Sequence, residues 1–344
     1  MQRLFVRATA LTLWVGLLLG FTSSTALAQY TQTNLTSNQS GKAKHQDPLL
    51  QNAWGLVYGP GGPFWVSDEW NGWSTLYNGA GVPQKLQVII PPANGTGPGS
   101  PTGIVYNGSS EFQIQGWTSV FLFATLDGTI QGWSNFDRST GLIAVNNSGN
   151  KASYTGLAIT SHSSGNFLYA ADLVNNVIDI YDGSFKFVKS FTDTTIPKGF
   201  TVFNVQDIGG QLYVAYANAA GGAGGYIDIF KEDGTFVKRF AHGKPLNQPW
   251  GFAVAPKNFG PLSNTLLISN NTNTGTINGF NLTTGKFVGT IKDSAGKPIK
   301  INQLWGIDFG GGAAKNANGK TNHLYFTAGP GNNADGLFGM IAFK

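Results

Sequence analysis

Residues 64–77 read FWVSDEWNGWSTLY: three apolar residues, a cluster of Ser, Asp, Asn and Gly, then a run that closes on an aromatic. That is the pattern of two antiparallel strands joined by a turn. It returns at 167–181 as FLYAADLVNNVIDIY and at 265–280 as TLLISNNTNTGTINGF. Looser copies stand at 120–133, 212–230 and 323–343, which makes six hairpins in all. Upstream of each, a two-residue anchor opens a short apolar strand: Trp54-Gly55, Thr102-Gly103, Thr155-Gly156, Asn204-Val205, Trp250-Gly251 and Trp305-Gly306. Downstream, a fourth strand is visible at 186–191 (KFVKSF), 235–240 (TFVKRF) and 286–291 (KFVGTI). Four short strands recurring every ~50 residues, with no helical periodicity, predict an all-β, six-bladed β-propeller.

A ring of blades must close, because no blade can bury both faces alone. The last apolar run, LFGMIAF at 337–343, leaves its blade without an outermost strand. The stretch YTQTNLTS at 30–37 precedes the first anchor and alternates as an edge strand does. It is expected to pair onto the last blade, since a bare edge invites aggregation.

Residues 1–28 read as a signal peptide. Arg3 and Arg7 are their only charges, 11–21 is apolar, and Ala26-Leu27-Ala28 is a small-x-small cleavage site. Cleavage near Ala28 would leave one propeller domain, 29–344, secreted to the periplasm or the medium. No later segment is apolar enough to span a membrane. The formal net charge is only +5, and the cations are scattered singly, which argues against nucleic acid as a partner. There are no cysteines, so thiolate metal sites, disulfides and Cys nucleophiles are excluded. The chain is expected to be a monomer.

Several segments carry a family resemblance: QTNLTS at 32–37, DPLLQNAWGLVYGPGGPFWVSDEWNGWSTLYNGAG at 47–81 and GFTVFNVQDIGGQLYVAYA at 199–217. QPWGFAVAPKNFGPLSNTLLISN at 248–270 and LWGIDFGGG…NHLYFTAGP at 304–330 belong with them, and the resemblance they carry runs over nearly all of the mature chain. They resemble an uncharacterised family of secreted bacterial propeller-like proteins, some with a C-terminal PEP-type sorting signal. The chain stops at Lys344 without such a tail. More distantly, the apolar-Asp-x-x-Asn hairpins resemble NHL repeats, which build six-bladed propellers. The resemblance implies the fold and brings no reaction with it.

Familiar catalytic spacings are missing: there is no His-Glu-x-x-His, Gly-x-Ser-x-Gly or EF-hand series. Gly319-Lys320-Thr321 ends like a phosphate loop, but Ala314 stands where its glycine is required. His45, His162, His242 and His323 fall in different units and share no spacing. Position in the repeat is what remains. The segments leading into the inner strands carry Asn52, Trp54, Gln248, Trp250, Gln303 and Trp305, and the hairpin turns carry Asp68, Glu69, Trp70, Trp73, Asp172, Asn176 and Asn270. Both sets belong to one face around the axis. Indole planes and amides there would suit a small polar ligand, a glycan or a protein partner. Alternatively, each Trp is a packing peg and each Asp or Asn holds its own turn. Asp68-Glu69 is the one pair of carboxylates in a hairpin turn.

Three residues past each anchor, four units have Val57, Val105, Ala158 and Ala253, whereas the fourth and sixth have Asp207 and Asp308. Two carboxylates around one channel would suit a hard cation such as Ca²⁺, or each could accept backbone hydrogen bonds. Two functions follow: an exported binding or scaffold protein, or a metal-assisted hydrolase, lactonase or lyase. The second would use a cation-activated water with Asp68 and Glu69 nearby, Glu69 as general base.

Overall fold

The computed structural model describes residues 29–136, 139–162 and 165–344; the expected signal peptide lies outside them. Five four-stranded antiparallel sheets and one sheet of five strands follow one another around an axis, with three short 3₁₀ turns and no α-helix among the described residues. Each sheet is a blade, and the chain passes from inner strand to outer strand and then to the next inner strand. The inner strands are Ala53–Tyr58, Pro101–Tyr106, Tyr154–His162, Phe200–Asp207, Pro249–Val254 and Leu304–Phe309, in blades 1 to 6. All six expected hairpins form as the second and third strands of their blades.

The ring closes as the sequence requires. Tyr30–Ser37 pairs antiparallel with Leu337–Phe343 as the outer strand of blade 6, with a bulge between Asn34 and Thr36. A two-residue strand, His45–Gln46, adds a parallel pair outside it. The strand is fastened by side chains as well as by its ladder. The Tyr30 hydroxyl donates to the Phe259 carbonyl of blade 5 at 2.7 Å and accepts from the Leu262 N–H at 3.2 Å. Leu35 enters the apolar cluster between blades 6 and 1.

The core is divided in the way a radial repeat demands. Six apolar clusters lie one in each cleft between adjacent blades, for example Trp65, Phe121, Phe123 and Trp133 between blades 1 and 2. A seventh lies on the axis. Each buried aromatic or aliphatic side chain contributes about 1.5–3 kcal/mol. Adjacent strand positions face opposite clefts, so blades read as near-continuous apolar runs: Phe64–Asp68 and Phe121–Thr125 are buried at every residue.

The aromatic repeated near the end of each third strand has a structural partner in blades 3, 4 and 5. Tyr181 meets Phe187, Phe230 meets Phe236 and Phe280 meets Phe287 edge-on at 5.6–5.9 Å. This is why the outer strands of blades 3, 4 and 5 share a Phe at the same place.

Candidate functional site

The anchors take their identity from the crowding of the inner strands at the axis. A Cβ on Gly55 would stand 2.3 Å from the Thr102 carbonyl oxygen, and one on Gly103 2.4 Å from the Leu157 nitrogen. Glycine is required where backbone meets backbone. The ladder slips at this level in all six blades, and hydroxyls or amides from other strands take up several anchor carbonyls. Thr327 donates to the Trp54 carbonyl at 2.5 Å, Ser269 to that of Trp305 at 2.6 Å, and Asn204 to that of Trp250 at 2.7 Å.

The three anchor tryptophans then converge. Trp54 and Trp305 stack at 3.7 Å between ring centroids, and Trp250 stands edge-on to both at 6.3 and 5.8 Å. They are 6%, 5% and 3% exposed for Trp54, Trp250 and Trp305, so their faces meet one another and not solvent. Leu126 and Phe203 complete the cluster. Trp250 reaches across the axis from blade 5 to donate to the Thr155 carbonyl of blade 3 at 2.9 Å. Blades 5, 6 and 1 supply the indoles, and blades 2 and 3 leave room for them with Thr102 and Thr155. The upper mouth of the channel, where the inner strands begin, is closed by this packing.

Around that plug the polar residues are engaged locally. Asn52, Gln248 and Gln303 adopt the same left-handed conformation two residues before each Trp, with φ of 46°, 54° and 49°. Asn52 accepts from the Trp305 indole N–H at 2.9 Å and donates to Glu69 at 2.6 Å. Gln248 donates to the Asn218 and Gly222 carbonyls, and Gln303 to the Asn273 side chain. Asp172 accepts from the N–H groups of Ser153, Val174 and Asn175, and Asn270 ties Pro245, Asn247 and Thr276 together. Asn176 accepts from the Val202 N–H of the next blade. On this face Trp73 is half-buried, and Trp70, 59% exposed, keeps a free ring face.

Below the plug lies a cavity of about 250 Å³ to which all six inner strands contribute, with Val57, Val105, Ala158, Val205 and Phe252 in its wall. Among the described residues, Asp207 and Asp308 are its carboxylates. Tyr58, Tyr106, Asp207 and Asp308, at the lower ends of their strands, are reached by solvent, so the channel is blind above and open below. Asp308 is partly exposed, but into a narrow lumen walled by protein. Burial therefore pushes its carboxyl up to about 7, with the Phe309 N–H pulling the other way. Burial, reinforced by the Asp308 charge, pushes the Tyr58 hydroxyl up to about 12. Asp207 caps its own turn, accepting from the Gly210 N–H at 3.0 Å.

The four carboxylates read together in the sequence do not converge. Asp68 pairs with Ala53 at the upper end of blade 1 and is fully buried. Its Oδ2 accepts from the Thr75 hydroxyl at 2.7 Å, and burial holds its carboxyl well above the usual range. Glu69 sits on the upper surface against Asn52, whereas Asp207 and Asp308 lie at the lower ends of blades 4 and 6. Among the described residues no group of three or more His, Cys, Asp or Glu could hold a metal. Tyr106, which lines the lumen, and Tyr58, which feels the Asp308 charge, went unnoticed in the sequence, although both end an inner strand.

No known family model matches the chain. Over 335 residues it is 33% identical to the uncharacterised protein R648 of Acanthamoeba polyphaga mimivirus, covering 89% of this chain and 78% of that protein. Over 345 residues it is 30% identical to protein L690 of the same virus, covering 92% and 86%. The chain belongs to the family of these uncharacterised proteins. These relatives are viral, where the sequence resemblance pointed to bacterial ones. Among solved structures it is similar to a glucose dehydrogenase, with a TM-score of 0.56, 10% identity and 90% and 98% of the two chains covered. A streptogramin B lyase gives a TM-score of 0.53 at 11% identity, covering 92% and 97%. At such identities the likeness is one of fold alone.

Proposed function

We propose that the protein is an exported binding protein that takes a small polar ligand through the lower mouth of its axial channel. The observation that carries this reading is Asp308: a carboxylate on the wall of a blind lumen of mixed apolar and polar lining, beside a tyrosine hydroxyl. A concave apolar surface with a few placed polar groups is the usual make-up of a small-molecule site. Export rests on the first 28 residues, and the secreted protein should begin near Gln29 by N-terminal sequencing.

A thermal-shift screen of small amines, sugars, carboxylates and Ca²⁺ tests the site, since a ligand of the native state alone raises the melting temperature. Hits should lose their effect in Asp308→Asn and keep it in Trp70→Ala. Hits lost in Trp70→Ala and kept in Asp308→Asn would move the site to the upper face, where a glycan or protein partner would meet an exposed indole. A second reading, a metal-assisted enzyme, is favoured by the two carboxylates on one lumen. Ca²⁺ there would also need backbone carbonyls and water. Metal analysis should then find about one equivalent per chain, and chelation should lower the melting temperature.

A further inference from the structure

The third strand of blades 3, 4 and 5 carries a buried polar residue at one repeat position: Asp179, Asp228 and Asn278. Each is paired across to the outer strand, with Ser190, Arg239 and Thr290 respectively. In blade 4 the long Arg239 side chain fills the cleft toward blade 3. Its Nε donates to Asp228 at 3.0 Å, its Nη2 donates to Asp193 on the preceding loop and to the Thr195 hydroxyl at 3.1 Å, and its guanidinium lies 5.0 Å from the Tyr226 ring centre. The cleft is thus occupied by a guanidinium.

Among the described residues, the same cleft in blade 3, facing blade 2, holds no such group. Ser190 is short, Val177 stands where blade 4 has Tyr226, and a cavity of about 580 Å³ opens between the blades. That volume falls within the ~300–1,000 Å³ typical of ligand sites. Asp179, Asp172, Asn147, Asn175 and Tyr181 line it. Asp179 is held by Ser190 at 2.6 Å and by the Tyr154 hydroxyl at 2.8 Å, which also meets the Tyr181 hydroxyl at 2.7 Å. Neither donor is charged, so among the described residues this buried carboxylate has no cationic partner, and Asp172 adds to the negative potential. Consistent with this, burial and then the Asp172 charge keep the Asp179 carboxyl above its ordinary value.

We infer that the cleft between blades 2 and 3 is a binding site for the guanidinium group of a ligand, seated against Asp179 where blade 4 seats its own Arg239. Guanidinium matches this site because it is planar, always charged and a donor in several directions. The remaining volume admits its aliphatic stem. This site is separate from the axial channel, and either can fail without the other.

Titration of the purified protein with arginine amide, followed by the amide resonances of Asn147, Asn175 and Ser190, tests the assignment. Saturable shifts are expected, and citrulline amide, its uncharged isostere, should give none. Ser190→Arg should abolish binding by filling the cleft from within, as Arg239 does, while the fold persists. Asp179→Asn should weaken binding about tenfold or more, the loss of one charge-assisted hydrogen bond. A Gly-Arg-Gly peptide that binds tighter than arginine amide would assign the group to a peptide chain, and equal affinity would assign it to a free guanidino compound. No shift with arginine amide, equal shifts with citrulline amide, or undiminished binding in Ser190→Arg would each overturn the inference.

Discussion

At the upper end of the axis three indoles from blades 5, 6 and 1 fill the space between strands; a few residues further along, the same strands face a lumen with valines, alanines and two aspartates. One set of strands produces a sealed end and an open one. The difference lies in side-chain size at a fixed backbone spacing. At the anchors the backbones meet at glycine, which leaves the neighbouring residue to cover the axis, and tryptophan is large enough to do so. Three positions on, the side chains are small or charged, and nothing spans the gap. A buried, interlocked end resists change, whereas an end built from half-solvated groups can bind and titrate.

The harshest way to break the comparison removes the ring on which both ends depend. Deleting Tyr30–Ser37 strips blade 6 of its outer strand and the Tyr30 tie to blade 5. Loss of a cooperative melting transition by calorimetry is expected, and an unchanged melting temperature would refute the closure. Next, Trp250→Ala should cost roughly 3–5 kcal/mol in denaturant unfolding, the range for truncating a buried aromatic. A cost near zero would mean the upper end is not a packed plug.

A finer contrast lies within the plug. The Trp305 indole N–H donates to Asn52, whereas that of Trp54 is buried and finds no acceptor among the described residues. Both Trp→Phe changes lose ring volume, but only Trp305→Phe leaves an acceptor unmet, at an added cost of about 1–3 kcal/mol. Equal losses for Trp54→Phe and Trp305→Phe would contradict that asymmetry.

The smallest expected effect belongs to the open end. Asp308 titrates at about 7 in the fold and at about 3.9 when unfolded. Between these values the native state binds the extra proton, so its contribution to stability falls as pH rises from about 4 to 7 and is flat above. Asp308→Asn should remove that slope and leave the variant more stable than the parent at pH 8, by about 1 kcal/mol or more. The two should converge near pH 4. A variant destabilised at pH 8 would show that the carboxylate is held by partners that favour its charge.

Much of this was legible in the chain. The Trp-Gly and Thr-Gly anchors, the repeated hairpins and the leftover edge at Leu337–Phe343 specify blade number and closure, because strand periodicity and an unpaired edge are local facts. Asp207 and Asp308 stood out as exceptions in a repeat, and they do share one lumen. The role of the tryptophans was not legible. An indole at a strand start reads equally as a ligand platform or as packing, and only the distance across the axis, set by six blades, decides for packing. Asp68 and Glu69 are neighbours in sequence, yet the strand end sends one into the protein and the other to the surface.

The sequence by itself determined the repeat and its number, which follow from patterns within about fifty residues, and the closing strand, which follows from a spare strand before the first anchor and a missing one after the last. The tertiary structure alone decided which end of the channel is shut and which cleft between blades is empty. Those outcomes depend on how far side chains from different blades reach across a gap, and a reach of that kind, Arg239 against Ser190 or Trp250 against Thr155, has no counterpart along the chain.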